Sequence, residues 1–354
     1  MKREHLLIIR FSALGDVAMT VPIIWALAQQ YPQLRITVLS RPSSRTFFED
    51  LAPNVNFMEA DVKHEYHGMK GLNALYRRLV AKQFTAVADL HNVLRSEYLR
   101  FRFQLGHYRV EHIDKHRKMR RRLVAKEQKK RKEQLPTSFE NYLDVFNRLG
   151  YPVDINTYQF HSLFNSEGGN LNMLPREIGP KRSWEQWIGI APFAAHKGKI
   201  YPAEKMEEVI KLLTEKYPKA RVFLFGRGEL EDKTFPKWVQ QMPQCVHTGW
   251  HLENMHQELI LMSHLDVMVS MDSANMHMAS LTATPVVSIW GATHPYAGFM
   301  GWKQKNENAI QIDMPCRPCS IFGNKPCKRG DYACLYNIEP QTIVDKIATV
   351  IAAK

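Results

Sequence analysis

The apolar positions fall into short unbroken runs that alternate with stretches of helical spacing. Residues 6–9 (Leu, Leu, Ile, Ile) form a continuous apolar run, and a polar loop follows at 11–16. Apolar residues then recur at Val17, Val21, Ile24, Leu27 and Ala28, which predicts a helix to about residue 30. Residues 35–40 give the next strand, so the chain opens strand–loop–helix–strand, the pattern of a parallel sheet. Strands are predicted at 56–59 and 85–89, and helices at 70–82, 92–101 and 138–149. Residues 151–184 are rich in Asn, Gly, Pro and Ser and read as a connection with at most one extended strand. A second series follows: strands at 187–192, 221–225, 267–271 and 286–290, and helices at 203–216, 259–264 and 274–281. A last helix over 340–353 is apolar at Ile343, Ile347, Val350 and Ile351. The expected fold class is α/β, with two doubly wound halves and ligands in the cleft at strand carboxyl ends.

With 354 residues the chain exceeds the usual size of a single core, so two domains are expected. No run approaches the roughly 20 apolar residues of a membrane span, and the charged start, Met1-Lys-Arg-Glu-His5, lacks a leader pattern. The formal net charge of +13 calls for an acidic partner. Much of the excess lies between Lys115 and Lys132, including Arg120, Arg121, Arg122, Lys129, Lys130 and Arg131. That segment lacks the interleaved aromatics of a base-stacking surface, so nucleic acid is not the expected partner. Neither GxGxxG after the first strand nor GxxxxGK[ST] is present, which counts against nicotinamide and P-loop enzymes.

One stretch organises the second half. The chain leaves the strand ending at 271 through Asp272, Ser273, Ala274 and Asn275, and enters a short helix that Pro285 closes off. A helix N-terminus at the end of a parallel strand presents unpaired N–H groups to an anion. Cys316-x2-Cys319-x7-Cys327-x6-Cys334 has the spacing of a structural thiolate zinc site; free thiols and disulfides are the alternatives.

Specific motifs then narrow the reading. Arg10-Phe-Ser12-Ala-Leu-Gly15-Asp16-Val resembles the N-terminal signature of family 9 glycosyltransferases, the lipopolysaccharide heptosyltransferases. Asp89-Leu-His-Asn-Val-Leu-Arg95-Ser resembles a second run of that family, and Lys199-Ile-Tyr-Pro202 its Lys-x-Trp-Pro segment. The stretch from Asp272 through His277 to Gly291 resembles its second signature, with Ala274 in place of the usual Gly and Ala292 in place of Pro. The resemblance implies the GT-B fold, two Rossmann-like domains facing across a cleft. On that basis an N-terminal acceptor domain is expected at 1–165, with a basic insertion at about 102–135, and a linker at 166–184. A nucleotide-sugar domain at 185–337 and a terminal helix at 338–354, packing back on the first domain, complete the expected layout.

The same resemblance implies an inverting transfer, with a heptose moved from ADP-heptose onto a lipopolysaccharide inner-core acceptor. Another nucleotide sugar serving a different surface glycan is the alternative, and a nucleic-acid-binding protein the remote one. Asp16 is expected as the base, although a helix cap would fill this position equally well. Lys199 (or Lys197) is expected to neutralise the leaving diphosphate. Gly15 permits the tight turn, Ser12 touches the donor, and the N–H groups of Ser273 and Ala274 cradle phosphate. Asp272 is assigned to sugar hydroxyls, His277 to phosphate, and Glu229 or Glu231 to the ribose. Arg95, with the arm residues Arg120, Arg121 and Arg122, is expected to meet an anionic glycolipid acceptor. No cofactor is required for catalysis, and any zinc would be structural. The expected location is cytoplasmic, peripheral at an anionic inner-membrane surface.

Overall fold

The computed structural model describes residues 4–353. The chain divides into two compact units: residues 4–115 with 136–163, and residues 116–135 with 164–353. Each carries one parallel sheet with helices, the α/β class expected.

In the first unit the strands are β1 (His5–Ile9), β2 (Arg35–Ser40), β3 (Val55–Glu59), β4 (Ala86–Asp89) and β5 (Arg109–His112), in the order β3-β2-β1-β4-β5. β1 lies at the centre, paired parallel with β2 and β4, and all five of its residues are buried. A strand covered on both faces has no reason to alternate, which is why it reads as an unbroken apolar run. The helix Gly68–Val80 buries Leu72, Leu75 and Leu79, one apolar stripe at helical spacing. Leu75 and Leu79 share a core with Leu7, Ile9, Val87, Leu99 and Phe103.

The second unit holds β6 (Trp187–Ala191), β7 (Arg221–Leu224), β8 (Cys245–His247), β9 (Val267–Met271), β10 (Val286–Ile289) and β11 (Ala309–Ile310). Their order is β11-β10-β9-β6-β7-β8. β6 and β9 pair parallel at the centre, and both are wholly buried.

Several expectations need correction. β5, β8 and β11 have two to four residues each, too short to carry a readable period. The helix Glu229–Gln241 is absent from the expected elements; it has Pro236 in its interior and buries just Phe235 and Trp238. Residues 151–184 contain no strand, only the short 3-10 turn Leu171–Met173. The basic segment is split, with residues 116–135 packed in the second unit rather than the first. The last helix, Pro340–Ala352, also belongs to the second unit. Its buried Ile343, Val344, Ile347 and Val350 join the core of β6, β7, β9 and β10, against the helix Ala203–Lys216. Burying a branched aliphatic side chain contributes about 1.5–3 kcal/mol, so this apolar face is what holds the helix there. Among the described residues no helix is long and apolar enough to cross a membrane.

Candidate active site

In open parallel sheets ligands gather where the strand order reverses, since neighbouring loops there part to opposite sides. The first unit reverses between β1 and β4, the second between β6 and β9. Ser12, Lys199, Asp272 and Ser273 lie on the loops that follow three of these strands, and Asp16, Arg95, Ala274 and His277 on the helices that follow β1, β4 and β9.

After β1 the chain turns through Arg10–Ala13 into the short helix Leu14–Ala18. Asp16 is not the N-cap, which is Ala13; from the third helical position it accepts the backbone N–H of Ala13 through Oδ2 (3.2 Å) and so closes the first turn. It also pairs with the guanidinium of Arg10 at 2.9 Å, and its side chain remains 32% exposed. Arg10 is buried, donates to the Leu90 carbonyl from the loop after β4, and lies over the ring of Tyr142, 5.7 Å from its centroid. Burial works against its charge, but Asp16, then Tyr142, outweigh that cost and raise its pKa above the ordinary value. The Tyr142 hydroxyl donates to the Asp16 carbonyl (3.2 Å), so one helix turn is fixed from both ends.

His91, also on the loop after β4, accepts from the Phe11 N–H through Nδ1 (3.4 Å) and faces Ser12 Oγ with Nε2 (3.3 Å). That pattern assigns the ring proton to Nε2, which donates to Ser12. Burial, then the nearby Arg10 and Lys115, push the His91 pKa down to about 3, so the ring is neutral near pH 7. Beneath it Asp89 is fully buried. It accepts the N–H groups of His91 and Asn92 at 2.9 Å and pairs with Arg100 at 3.3 Å. Arg95, by contrast, is exposed on the helix Leu94–Leu105, whose buried side is Ser96, Leu99 and Phe103. Arg10, His91 and Tyr142 were not anticipated as site residues. Arg10 reads as the end of an apolar strand and Tyr142 as one face of a helix.

The second unit brings Lys199 and Asp272 together. Lys199 ends a 3-10 turn after β6 and Asp272 follows β9. The ammonium lies 3.0 Å from Asp272 Oδ2 and donates to the Asp272 carbonyl, also at 3.0 Å. Both side chains are largely buried, at 15% and 4% exposure. Gly323 (φ +75°) passes so close that a Cβ there would lie 2.6 Å from Lys199 Cγ, which fixes the lysine stem. Ser273 is the N-cap of the helix Ala274–Leu281 with an extended backbone, and no side chain caps its first turn. The N–H groups at that end are therefore accompanied by a lysine whose charge Asp272 partly offsets. His277 is buried on the same helix.

Of the two glutamates considered for a ribose, Glu229 is 81% exposed and pairs with Lys233 at 2.6 Å. Glu231 instead folds its carboxylate over the turn, where a Cβ on Gly226 (φ +138°) would come within 2.8 Å of Oε1. The positive φ at Gly226, a region other residues rarely adopt, is what favours glycine there. Lys197 lies over the Tyr332 ring, 5.1 Å from its centroid, and is not part of the Asp272 cluster.

All five cysteines are unpaired thiols. Among the described residues no three His, Cys, Asp or Glu side chains are grouped as metal ligands, but Cys316, Cys319 and Cys327 lie near enough to Cys334 to act on its thiol electrostatically. Burial raises the thiol of Cys334 to about 11, and that of Cys319 in the same direction.

The arm residues have a different setting from the one expected. Lys130 is half-buried and donates to the carbonyls of Cys316 (2.6 Å) and Pro318 (2.9 Å). Lys132 pairs with Asp313 at 2.6 Å, and Arg120 lies over the rings of Phe299 and Phe322. Arg121, Arg122, Lys126, Lys129 and Arg131 remain exposed.

Comparison with known proteins follows the same lines. The model of the family "Glycosyltransferase family 9 (heptosyltransferase)" matches residues 72–328. That span contains Lys199 and Asp272 but not Ser12 or Asp16. The chain is 22% identical to a lipopolysaccharide core heptosyltransferase, OpsX, of Haemophilus influenzae, over 82% of this chain and 80% of the relative. Among solved structures it is similar to a family 9 glycosyltransferase of Veillonella parvula, with a TM-score of 0.72, 17% identity and coverage of 100% and 99% of the two chains. It is also similar to the ADP-heptose lipopolysaccharide heptosyltransferase II of E. coli, with a TM-score of 0.68, 19% identity and 99% of each chain covered. These likenesses show the GT-B fold.

Proposed function

The chain belongs to glycosyltransferase family 9, and from that premise we propose that it transfers a heptose with inversion from ADP-heptose to the inner core of a lipopolysaccharide precursor. The observation that carries the reading is the Lys199–Asp272 pair beside the uncapped N-terminus of Ala274–Leu281, at the strand-order reversal of the second unit and within the family-matched residues 72–328. The names of the curated relative and of the E. coli structure, which specify lipopolysaccharide and ADP-heptose, support the choice of substrates.

In this reading the acceptor oxygen attacks the anomeric carbon and its proton passes to Asp16. The bond from that carbon to the diphosphate oxygen breaks, and the electron pair leaves with the diphosphate. Lys199 and the N–H groups of Ser273 and Ala274 are aimed at this developing charge, where preorganised donors act most strongly. Asp272 holds Lys199 in place and accepts from a sugar hydroxyl. A single displacement opposite the leaving group inverts the anomeric centre, and no divalent ion enters any step. The exposed cations of the arm attract the anionic acceptor and its membrane surface, which makes the protein a peripheral cytoplasmic enzyme.

The test is to incubate the protein with ADP-heptose and a deacylated inner-core acceptor in the presence of EDTA, and to read product configuration by NMR. Transfer with the anomeric centre inverted is expected. Retention of configuration, or turnover with a UDP- or GDP-sugar alone, would overturn the proposal.

A further inference from the structure

A second concave site lies in the second unit, and it shares no lining residue with the Lys199–Asp272 cluster. It has a volume of about 530 Å³, within the range of small-molecule pockets. It is lined by His294 and Tyr296, whose rings are tilted with centroids 4.2 Å apart. The amides of Asn306 and Gln311 and the Lys132–Asp313 pair also line it. Arg317 completes the lining. Its guanidinium is committed to the carbonyls of Gly291, Thr293 and Trp290 and to the side-chain oxygen of Gln311.

Those commitments decide what the pocket offers a ligand. Because Gln311 Oε1 accepts from Arg317, its amide is held with the NH2 group available as a donor. His294 Nδ1 accepts the Tyr296 N–H at 3.1 Å, so the ring proton sits on Nε2 and the imidazole is a second fixed donor. Burial, then Arg317 and Lys132, push the His294 pKa down to about 4, which keeps the ring neutral at pH 7. Two permanent cations, Arg317 and Lys132, face a single carboxylate, Asp313, and that carboxylate is 92% exposed. The result is an aromatic edge, several amide and imidazole hydrogen-bonding groups, and a net positive field.

We propose that this pocket binds a saccharide unit carrying a carboxylate or phosphate, of the kind a charged glycan acceptor presents. The ring hydroxyls both donate and accept, matching Asn306, Gln311 and His294. The apolar ring face lies on Tyr296, and the anionic group takes Lys132 from Asp313. Assigning that saccharide to the acceptor rests on the glycosyl-transfer reading; the binding itself does not.

Binding is tested on the full chain without nucleotide sugar, by ligand-observed saturation-transfer NMR and calorimetry. The probes are glucuronate, glucose 6-phosphate and neutral glucose. Both charged sugars should bind with millimolar affinity, and glucose at least fivefold more weakly; the stronger of the two charged probes identifies the anionic group preferred. Excess ADP should not displace them. Tyr296→Ala keeps the backbone groups that bind His294 and Leu135, and should lose at least fivefold in affinity at unchanged Tm. Lys132→Gln should abolish the preference for charged sugars. Asn306→Ala, at an exposed position, provides a second variant if Tyr296→Ala proves unstable, with the same direction of change. Absence of binding, displacement by ADP, or wild-type affinity in both Tyr296→Ala and Asn306→Ala would overturn the pocket. Sugar binding that survives while the transfer assay fails would remove the glycosyl-transfer reading and leave the pocket standing.

Discussion

Asp16 has two roles at once: it closes the first turn of a helix, and it carries a third-exposed carboxylate beside a buried arginine. The roles separate under substitution. Asp16→Asn keeps an acceptor oxygen for the Ala13 N–H but cannot take a proton, so turnover should fall by about two to four orders of magnitude with donor binding retained. Near-normal turnover would leave Asp16 only the closing of that helical turn. The neighbouring His91 makes a prediction about pH. Its folded pKa, about 3, lies below the ordinary 6.5, so between these values the unfolded chain binds a proton that the native chain refuses. Stability therefore falls as pH drops from about 6.5 toward 3, by on the order of a few kcal/mol at the acid end. His91→Gln should lose this slope, and its Tm should fall less than the wild type's between pH 7 and pH 4.5. Parallel Tm curves would assign the acid sensitivity elsewhere, His294 being the next candidate with its pKa lowered to about 4.

At the scale of elements, the Lys199–Asp272 pair ties the 3-10 turn after β6 to the start of the helix after β9. Removing one partner of a buried pair leaves a charge without its counterpart, at a cost of about 3–5 kcal/mol. Lys199→Met should therefore lower both Tm and donor affinity. The double variant Lys199→Met with Asp272→Asn should recover much of the Tm without recovering turnover, since the charge aimed at the diphosphate is gone from both. Recovery of turnover in the double variant would make the pair purely structural. The sequence singled out both residues but gave them separate partners, diphosphate and sugar. Their contact spans 73 positions and depends on the parallel pairing of β6 with β9, which no local pattern states. The long central strands were legible because burial on both faces leaves an apolar run. The edge strands β5, β8 and β11 were not, being short and partly exposed. The helix Glu229–Gln241 was hidden by Pro236 and by an apolar face of only Phe235 and Trp238, despite an acidic first turn that suits a helix start. Arg10, His91 and Tyr142 escaped for the same reason as the Lys199 pairing: their meeting joins the ends of β1 and β4 and a helix some 126 positions from Asp16.

Across the whole molecule the formal charge of +13 has to be placed somewhere, and the segment from 116 to 135 shows how it is divided. Lys130 is held by two carbonyls and Arg120 by two phenylalanine rings, while Leu123 and Leu135 are buried; these residues anchor the segment on the second unit. The charges left exposed, Arg121, Arg122, Lys126, Lys129 and Arg131, have no such duty and determine what the segment attracts. Each cation near an anionic membrane surface contributes about 1 kcal/mol, and the attraction fades beyond a Debye length of roughly 8 Å at physiological salt. Replacing these five by Gln should therefore reduce binding to phosphatidylglycerol-containing vesicles by about three to four orders of magnitude, and should raise the KM for an anionic acceptor. Affinity for ADP should stay within about twofold, because Lys199 and the helix Ala274–Leu281 are untouched. Raising the salt should weaken the wild type's vesicle binding far more than the variant's, since screening acts on the charges removed. The Tm should hold, as exposed charges of this kind are worth little to stability. Replacing Lys130 instead should lower the Tm, because the carbonyls of Cys316 and Pro318 would lose their donor. If vesicle binding and acceptor kinetics both survive the fivefold replacement, the segment serves only as packing on the second unit, and the membrane assignment loses its physical support.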